Sequence, residues 1–216
     1  MVKPKFGCKN LANYRENSYI CKNITYSNVI FMIVQFSVGN YLSFKELSTL
    51  SLVSTTLREP TIVDDDSMIE VGGAVPAVLH GAAIYGANAS GKSNFIKAFS
   101  TFKWLVINSM KELQAGETLD VESFMLNATT AREPSVFEIV FCNADHIFRY
   151  GFETDSKKVY KEWLYRRNNK KRAKEVELLF REGETYNVHP SCTIAKNLIA
   201  NKMVRNNALL VSVAAQ

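Results

Sequence analysis

At 216 residues, 47% of them hydrophobic and 22% charged, the chain has the length of one domain with an appendage and enough apolar content for a packed core. A net charge of +5 gives no global case for nucleic-acid binding, because Lys3, Lys5, Lys9, Arg15 and Lys22 against Glu16 place most of the excess at the start and leave the body near neutral. The apolar stretch Val29 to Val34 is too short to span a bilayer and no small-residue cleavage site follows it, so neither an anchor nor a signal peptide is supported and the cytoplasm is the expected compartment.

Residues 1–31 are rich in Asn, Lys and Tyr and show no sustained period, which reads as an extension outside the core, with either Met1 or Met32 as the biological start. From Met32 the pattern changes. Ile33, Gln35 and Ser37 alternate with Val34, Phe36 and Val38, a strand, and Gly39-Asn40 supplies a turn. Ser48 to Val53 reads as a second strand, antiparallel to the first. The segment Arg58 to Gly73 holds Pro60, Asp64-Asp65-Asp66 and Gly72-Gly73, which predicts a loop. Its aspartates read as a solvated acidic run, since a Mg²⁺ ion at phosphates needs a carboxylate after a buried strand.

Gly86-Ala87-Asn88-Ala89-Ser90-Gly91-Lys92-Ser93 then fits G-x-x-x-x-G-K-[ST] at every fixed position. A polyphosphate needs several donors converging on a small volume, and a glycine-rich turn entering a helix aims backbone N–H groups there. Lys92 is expected to reach the outer phosphates, and the Ser93 hydroxyl to ligate Mg²⁺. The motif requires a strand before it and a helix after it. Ala82-Ala83-Ile84-Tyr85 reads as a short buried strand, and Phe95, Phe99, Phe102, Val106, Met110 and Leu113 recur at helical spacing.

After Gly116 an irregular connection runs to Pro134, and the period switches to two. Strands are expected over Phe137–Cys142, Ile147–Glu153, Val159–Tyr165 and Val176–Phe180, with turns at Asn143-Ala144-Asp145, Asp155-Ser156 and Asn168-Asn169, giving a four-stranded antiparallel meander. The run Arg166 to Lys174 falls at a hairpin tip, where it is either a solvated turn or a contact to a phosphate backbone. Tyr160, Trp163 and Tyr165 are either meander core or stacking platforms. Ile194, Leu198, Ile199, Met203 and Val204 predict a helix started by Pro190-Ser191. Cys8, Cys21, Cys142 and Cys192 lack metal or redox spacing and read as reduced thiols. The apolar close, Ala208 to Gln216, reads as the edge of a larger fold.

Turnover needs more than a phosphate cradle. No apolar strand ending in Asp-Glu follows Ser93, and Ile62-Val63-Asp64 precedes the loop. A guanine reader is also missing, because no Asp-x-x-Gly follows the loop and Asn201-Lys202-Met203-Val204 lacks the needed Asp. Adenine is favoured by elimination.

Taken together, Phe36 to Lys45, Ala83 to Asn94, and Tyr150-Gly151-Phe152 through Lys161-Glu162-Trp163-Leu164 resemble bacterial ABC-like, AAA-type ATP-binding proteins associated with abortive infection, relatives of RecF, OLD and SMC heads. The resemblance runs from Met32 to the end. It implies an α/β P-loop NTPase of ABC-ATPase type, of which residues 32–216 form an incomplete N-terminal part: antiparallel strands and a P-loop strand-helix, with a mostly parallel core completed by later sequence. It further implies ATP and Mg²⁺ as ligands, with Gly86 through Ser93 and Asn94 as the binding segment and Asn40 to Phe44 close to the nucleotide. Partners implied are a second copy in a homodimer that sandwiches ATP, and an effector protein in phage defence or DNA processing, with nucleic acid as an alternative and no membrane.

Overall fold

A computed structural model describes residues 31–54 and 68–215. The N-terminal extension, Cys8, Cys21, the Asp64-Asp65-Asp66 run and Gln216 lie outside the described residues. The described chain builds one seven-stranded sheet, ordered β2-β1-β5-β6-β7-β8-β9. Its strands are β1 (Met32–Gly39), β2 (Ser48–Ser51), β5 (Ser135–Cys142), β6 (His146–Thr154), β7 (Val159–Asn168), β8 (Val176–Glu182) and β9 (Thr185–Val188), paired antiparallel throughout. The parallel core expected of the fold has no strand pair among the described residues. β3 (Met68–Glu70) and β4 (Ala77–Leu79) form a separate hairpin.

Three expectations change. The segment before the phosphate loop, Ala82 to Tyr85, forms no strand and is exposed throughout; an apolar run becomes a strand only when another strand satisfies its backbone groups, and no described strand lies alongside it. The stretch read as a loop up to Gly73 contains β3, too short to show a period. The meander has a fifth strand, β9, reached through a tight turn at Gly183, whose φ is +60°. The β1–β2 pair and the order of the meander otherwise follow the period-two pattern, but β7 runs past Tyr165 to Asn168, so Arg166 and Arg167 lie in the strand and only Lys170 to Lys174 of the basic run fall in the β7–β8 connection.

One face of the sheet is covered by α1 (Lys92–Asn108). Its buried Phe95, Ala98, Phe102 and Leu105 lie one turn apart on a single stripe. The Phe36 ring from β1 sits edge-on to Phe95, Phe99 and Phe102, with centroids 5.6, 5.1 and 5.6 Å away, in the arrangement the ring quadrupole favours. Phe102 in turn stacks on Phe152 at 5.4 Å. The helix ends at Asn108, so Met110 and Leu113 lie beyond it. On the opposite face Gly151 leaves room for the Trp163 indole: a Cβ there would stand 2.5 Å from the Trp163 ring and 2.6 Å from the Phe137 carbonyl. The expected last helix is α2 (Thr193–Ala200), and a short α3 (Leu210–Ala214) follows. No helix among the described residues is long and apolar enough to cross a membrane. Cys142 and Cys192 are buried and not joined in a disulfide.

The segment leading into α3 is fastened by buried charge. Glu162, fully buried on β7, accepts from Leu210 N (2.7 Å), Val211 N (3.1 Å) and the Tyr150 hydroxyl (3.0 Å). Arg181, 2% exposed on the paired strand, stands 3.9 Å from it and donates to the Ala208 and Arg205 carbonyls. Burial pushes the Glu162 carboxyl up, while the two amides, Arg181 and Tyr150 pull it back. The same segment reaches α1: Leu209 N donates to Ser109 Oγ, and Arg205 to the Met110 carbonyl. Glu162→Ala leaves Arg181 buried beside two bare amides, and is expected to cost about 3–5 kcal/mol, read as a lowered urea midpoint. A cost under about 1 kcal/mol would show that the pair is replaceable.

The outer face carries a connected polar ladder. Arg149 donates to Glu138 (3.1 Å) and Glu175 (2.8 Å) and lies over the Tyr165 ring, and the Trp163 indole N–H donates to Glu138. Tyr165 and Trp163 are therefore neither core residues nor open platforms. The bond from Arg149 holds the Glu175 carboxyl below its ordinary value. A depressed carboxylate stabilises the fold above its unfolded pKa, and that contribution is lost as pH falls through the folded value. Arg149→Gln is accordingly expected to lower stability at neutral pH and to converge on the parent protein below about pH 4. A deficit equal at every pH would assign the effect to packing on Tyr165.

Candidate functional site

The loop Gly86 to Gly91 departs from extended backbone at two points. Ala89 has φ +62° and Gly91 φ +90°, and the turn closes through Ser90 N donating to the Ala87 carbonyl. Ala89 carries its side chain in a left-handed conformation that costs roughly 1–2 kcal/mol outside glycine, a strain of the kind found where a loop is shaped for a ligand. Gly86 cannot hold a side chain without a 2.8 Å contact to Ser90 Oγ, and one on Gly91 would stand 2.8 Å from Ser43 Oγ. Both contacts are to serine hydroxyls that can rotate away, so it is the left-handed φ of Gly91 that holds that position to glycine.

α1 starts at Lys92 with no side-chain cap and no acidic residue in its first turn. Its leading N–H groups have no partner inside the helix, and the helix dipole adds positive potential at the same point. The Lys92 ammonium folds back over the loop, donating to the Gly86 carbonyl (2.7 Å), the Ala87 carbonyl (2.6 Å) and Ser90 Oγ (3.4 Å). Ser93 and Asn88 are exposed beside it. The arrangement fits a polyphosphate: a strained turn, uncapped helical amides and a movable cation share one small volume. A phosphate entering it would compete with the two carbonyls for the ammonium.

A second element meets this loop. Asn40 at the end of β1 is 7% exposed, and its amide donates to the Thr130, Glu133 and Pro134 carbonyls while its oxygen accepts from Phe124 N. Asn40 and Leu42 both have φ +47°, and Tyr41 and Phe44 close the turn. The turn so anchored sets Ser43 Oγ 3.0 Å from Asn94 Nδ2 and packs Phe44 on Phe95 at 5.9 Å. Sequence reasoning placed Asn40 to Phe44 near the nucleotide only through the resemblance and missed Asn40 as its anchor. The Gly-Asn step after a strand was the available signal.

Beside the loop lies a groove of about 460 Å³, lined by Ile33, Leu52, Ala82, Ile84, Ile96 and Phe99 among others, with Lys92 and Ser93 at its rim. Among the described residues, no group of three or more His, Cys, Asp or Glu side chains gathers to hold a metal. Gly91→Ala would force a left-handed alanine against Ser43, and is expected to cost about 1–2 kcal/mol in a denaturant titration. An unchanged midpoint would show that the helix start can relax.

Residues 82–188 match the model of a family described as "AAA domain, putative AbiEii toxin, Type IV TA system", whereas no curated protein and no solved structure matches the chain. The matched stretch begins just before the phosphate loop and ends with the last strand of the meander. Residues 82–188 thus resemble an AAA domain of a P-loop NTPase family, a resemblance that supports nucleotide and, typically, Mg²⁺ as ligands.

Proposed function

We propose that this chain is the phosphate-binding part of an ABC-like ATPase that binds ATP with Mg²⁺ through Gly86 to Asn94. The observation that carries the reading is the strained Gly86–Gly91 turn running into an uncapped helix with Lys92 folded over it. Lys92 would leave the loop carbonyls for the outer phosphates, the amides at the start of α1 would hold the inner ones, and Ser93 Oγ would reach the metal. Ser43 and Asn94 would border the same volume. Held through Ser93 Oγ, Mg²⁺ would supply charge neutralisation at the phosphates.

The rest of the catalytic apparatus, in this reading, comes from sequence or a subunit outside these residues. Exposed Ile84 and Tyr85 beside an apolar groove support it, because an extended apolar segment next to such a groove suits a strand whose neighbours are supplied from elsewhere. Dimerisation around ATP and coupling to an effector in phage defence complete the proposal. A non-hydrolysing nucleotide-binding role is the second reading, favoured by the lack of any gathered carboxylates near the loop among the described residues.

Titration of the chain with Mg²⁺-ATP by calorimetry is expected to show binding that Lys92→Ala weakens at least tenfold, about 1.4 kcal/mol. Equal affinity in the variant would overturn the proposed site. Hydrolysis by residues 1–216 alone that Lys92→Ala abolishes would overturn the division of labour.

A further inference from the structure

The basic run at the β7–β8 tip is held in place rather than simply solvated. Asn169, 5% exposed at its base, donates its backbone N–H to the Asp145 carbonyl (2.7 Å) and its amide to the Gly72 carbonyl (2.8 Å), and accepts from Ala74 N (2.9 Å) and Val75 N (3.2 Å). The approach is close enough that Gly73, φ +75°, could bear no side chain: a Cβ would stand 2.0 Å from the Asn169 carbonyl. Lys170, Lys171, Arg172 and Lys174 project from this anchored turn, all four exposed. No ion pair is formed by any of the four among the described residues. The nearest glutamate in sequence, Glu175, is engaged by Arg149 on the opposite face of the sheet.

The register puts aromatic surface next to these cations. Phe141, Phe148, Arg166 and Val176 face one another across β5, β6, β7 and β8 and so share one face of the sheet. Phe141 and Phe148 stack at 5.2 Å, and Phe31 stands edge-on to both. Phe31 is 46% exposed and Val176 41%, so this end of the face is open, unlike the part that α1 covers. A row of π-faces ending in an arginine and then in a pinned cationic turn matches the alternation of base and phosphate along a single strand.

We propose that Phe31, Phe141 and Phe148 with Arg166 and the Lys170–Lys174 tip form a docking surface for single-stranded nucleic acid, bases stacking on the rings and phosphates lying along the tip. The surface uses none of the nucleotide-loop residues, so it stands or falls independently of ATP binding.

The test is fluorescence anisotropy of labelled oligothymidylate, about 20 nucleotides long, with the full chain at low salt, where a Kd of about 10 μM or tighter is expected. Replacing Lys170, Lys171 and Lys174 together by alanine, at exposed positions that leave the fold alone, should weaken binding at least tenfold. It should also reduce the slope of log affinity against log salt by about 2, near 0.7 per phosphate contact. Phe148→Leu, which keeps apolar volume and removes the π-face, should weaken the single strand at least about fivefold with the salt slope unchanged. Absence of binding at low salt overturns the proposal, as does affinity that ignores the lysine variant. Equal affinity for duplex and single strand with Phe148→Leu neutral would overturn the stacking part and leave a plain electrostatic surface.

Discussion

The contact on which the molecule depends is the seating of α1 against the sheet through Phe36. Three aromatic rings of the helix close around one ring of β1, and because helix and strand are rigid, that packing fixes the position of the helix start. Interiors are packed closely enough that such an arrangement has few alternatives. The phosphate loop, one residue upstream, inherits its place from this core rather than from contacts of its own, since Gly81 to Ser90 are exposed throughout. The Asn40–Phe44 turn is placed by the same packing, because β1 carries both Phe36 and the anchored Asn40. Two loops far apart in sequence thereby meet at Ser43 and Asn94.

The opposite end of α1 is tied as firmly. Ser109 and Met110 hold the segment from Arg205 to Leu209, which Glu162 and Arg181 clamp to the meander. A buried ion pair is a costly way to join two elements, but it satisfies four backbone groups that an apolar contact would leave bare. One rigid helix therefore joins the nucleotide loop to the segment that enters α3. A change in the loop on binding phosphate would be felt at both ends of that rod.

Much of this was legible in the sequence. Alternation marked the long strands because one face is buried under the helices while much of the other is polar, apart from the apolar cluster of Val34, Cys142 and Ile147 with Val75 and Val78 of the β3–β4 hairpin, and the 3.6-residue period marked α1 for the same reason. The Gly86–Ser93 pattern stands out in the sequence because the phosphate binding proposed for it demands fixed residues at fixed spacing. What failed to show was decided by partners distant in the chain. Ala82 to Tyr85 has strand composition and no strand to pair with, whereas β3 is a strand of three residues that exists only because β4 lies beside it. Glu162 and Arg181 look like ordinary outward charges in an alternating pattern, and only the sheet register turns them inward to face the α3 segment. Trp163 and Tyr165 read as core or stacking residues, while Glu138 accepts from the Trp163 indole and Arg149 lies over the Tyr165 ring in a polar ladder.

The central claim is that the Gly86–Asn94 turn is a phosphate cradle whose position is set by α1. Amide chemical-shift mapping by NMR on addition of Mg²⁺-ATP tests it most directly. The account predicts the largest shifts at the amides of Ala87 to Asn94, with a smaller response at Ser43 and little along β5 to β9. Shifts centred elsewhere on the sheet, with the Gly86–Asn94 amides unmoved, would contradict it.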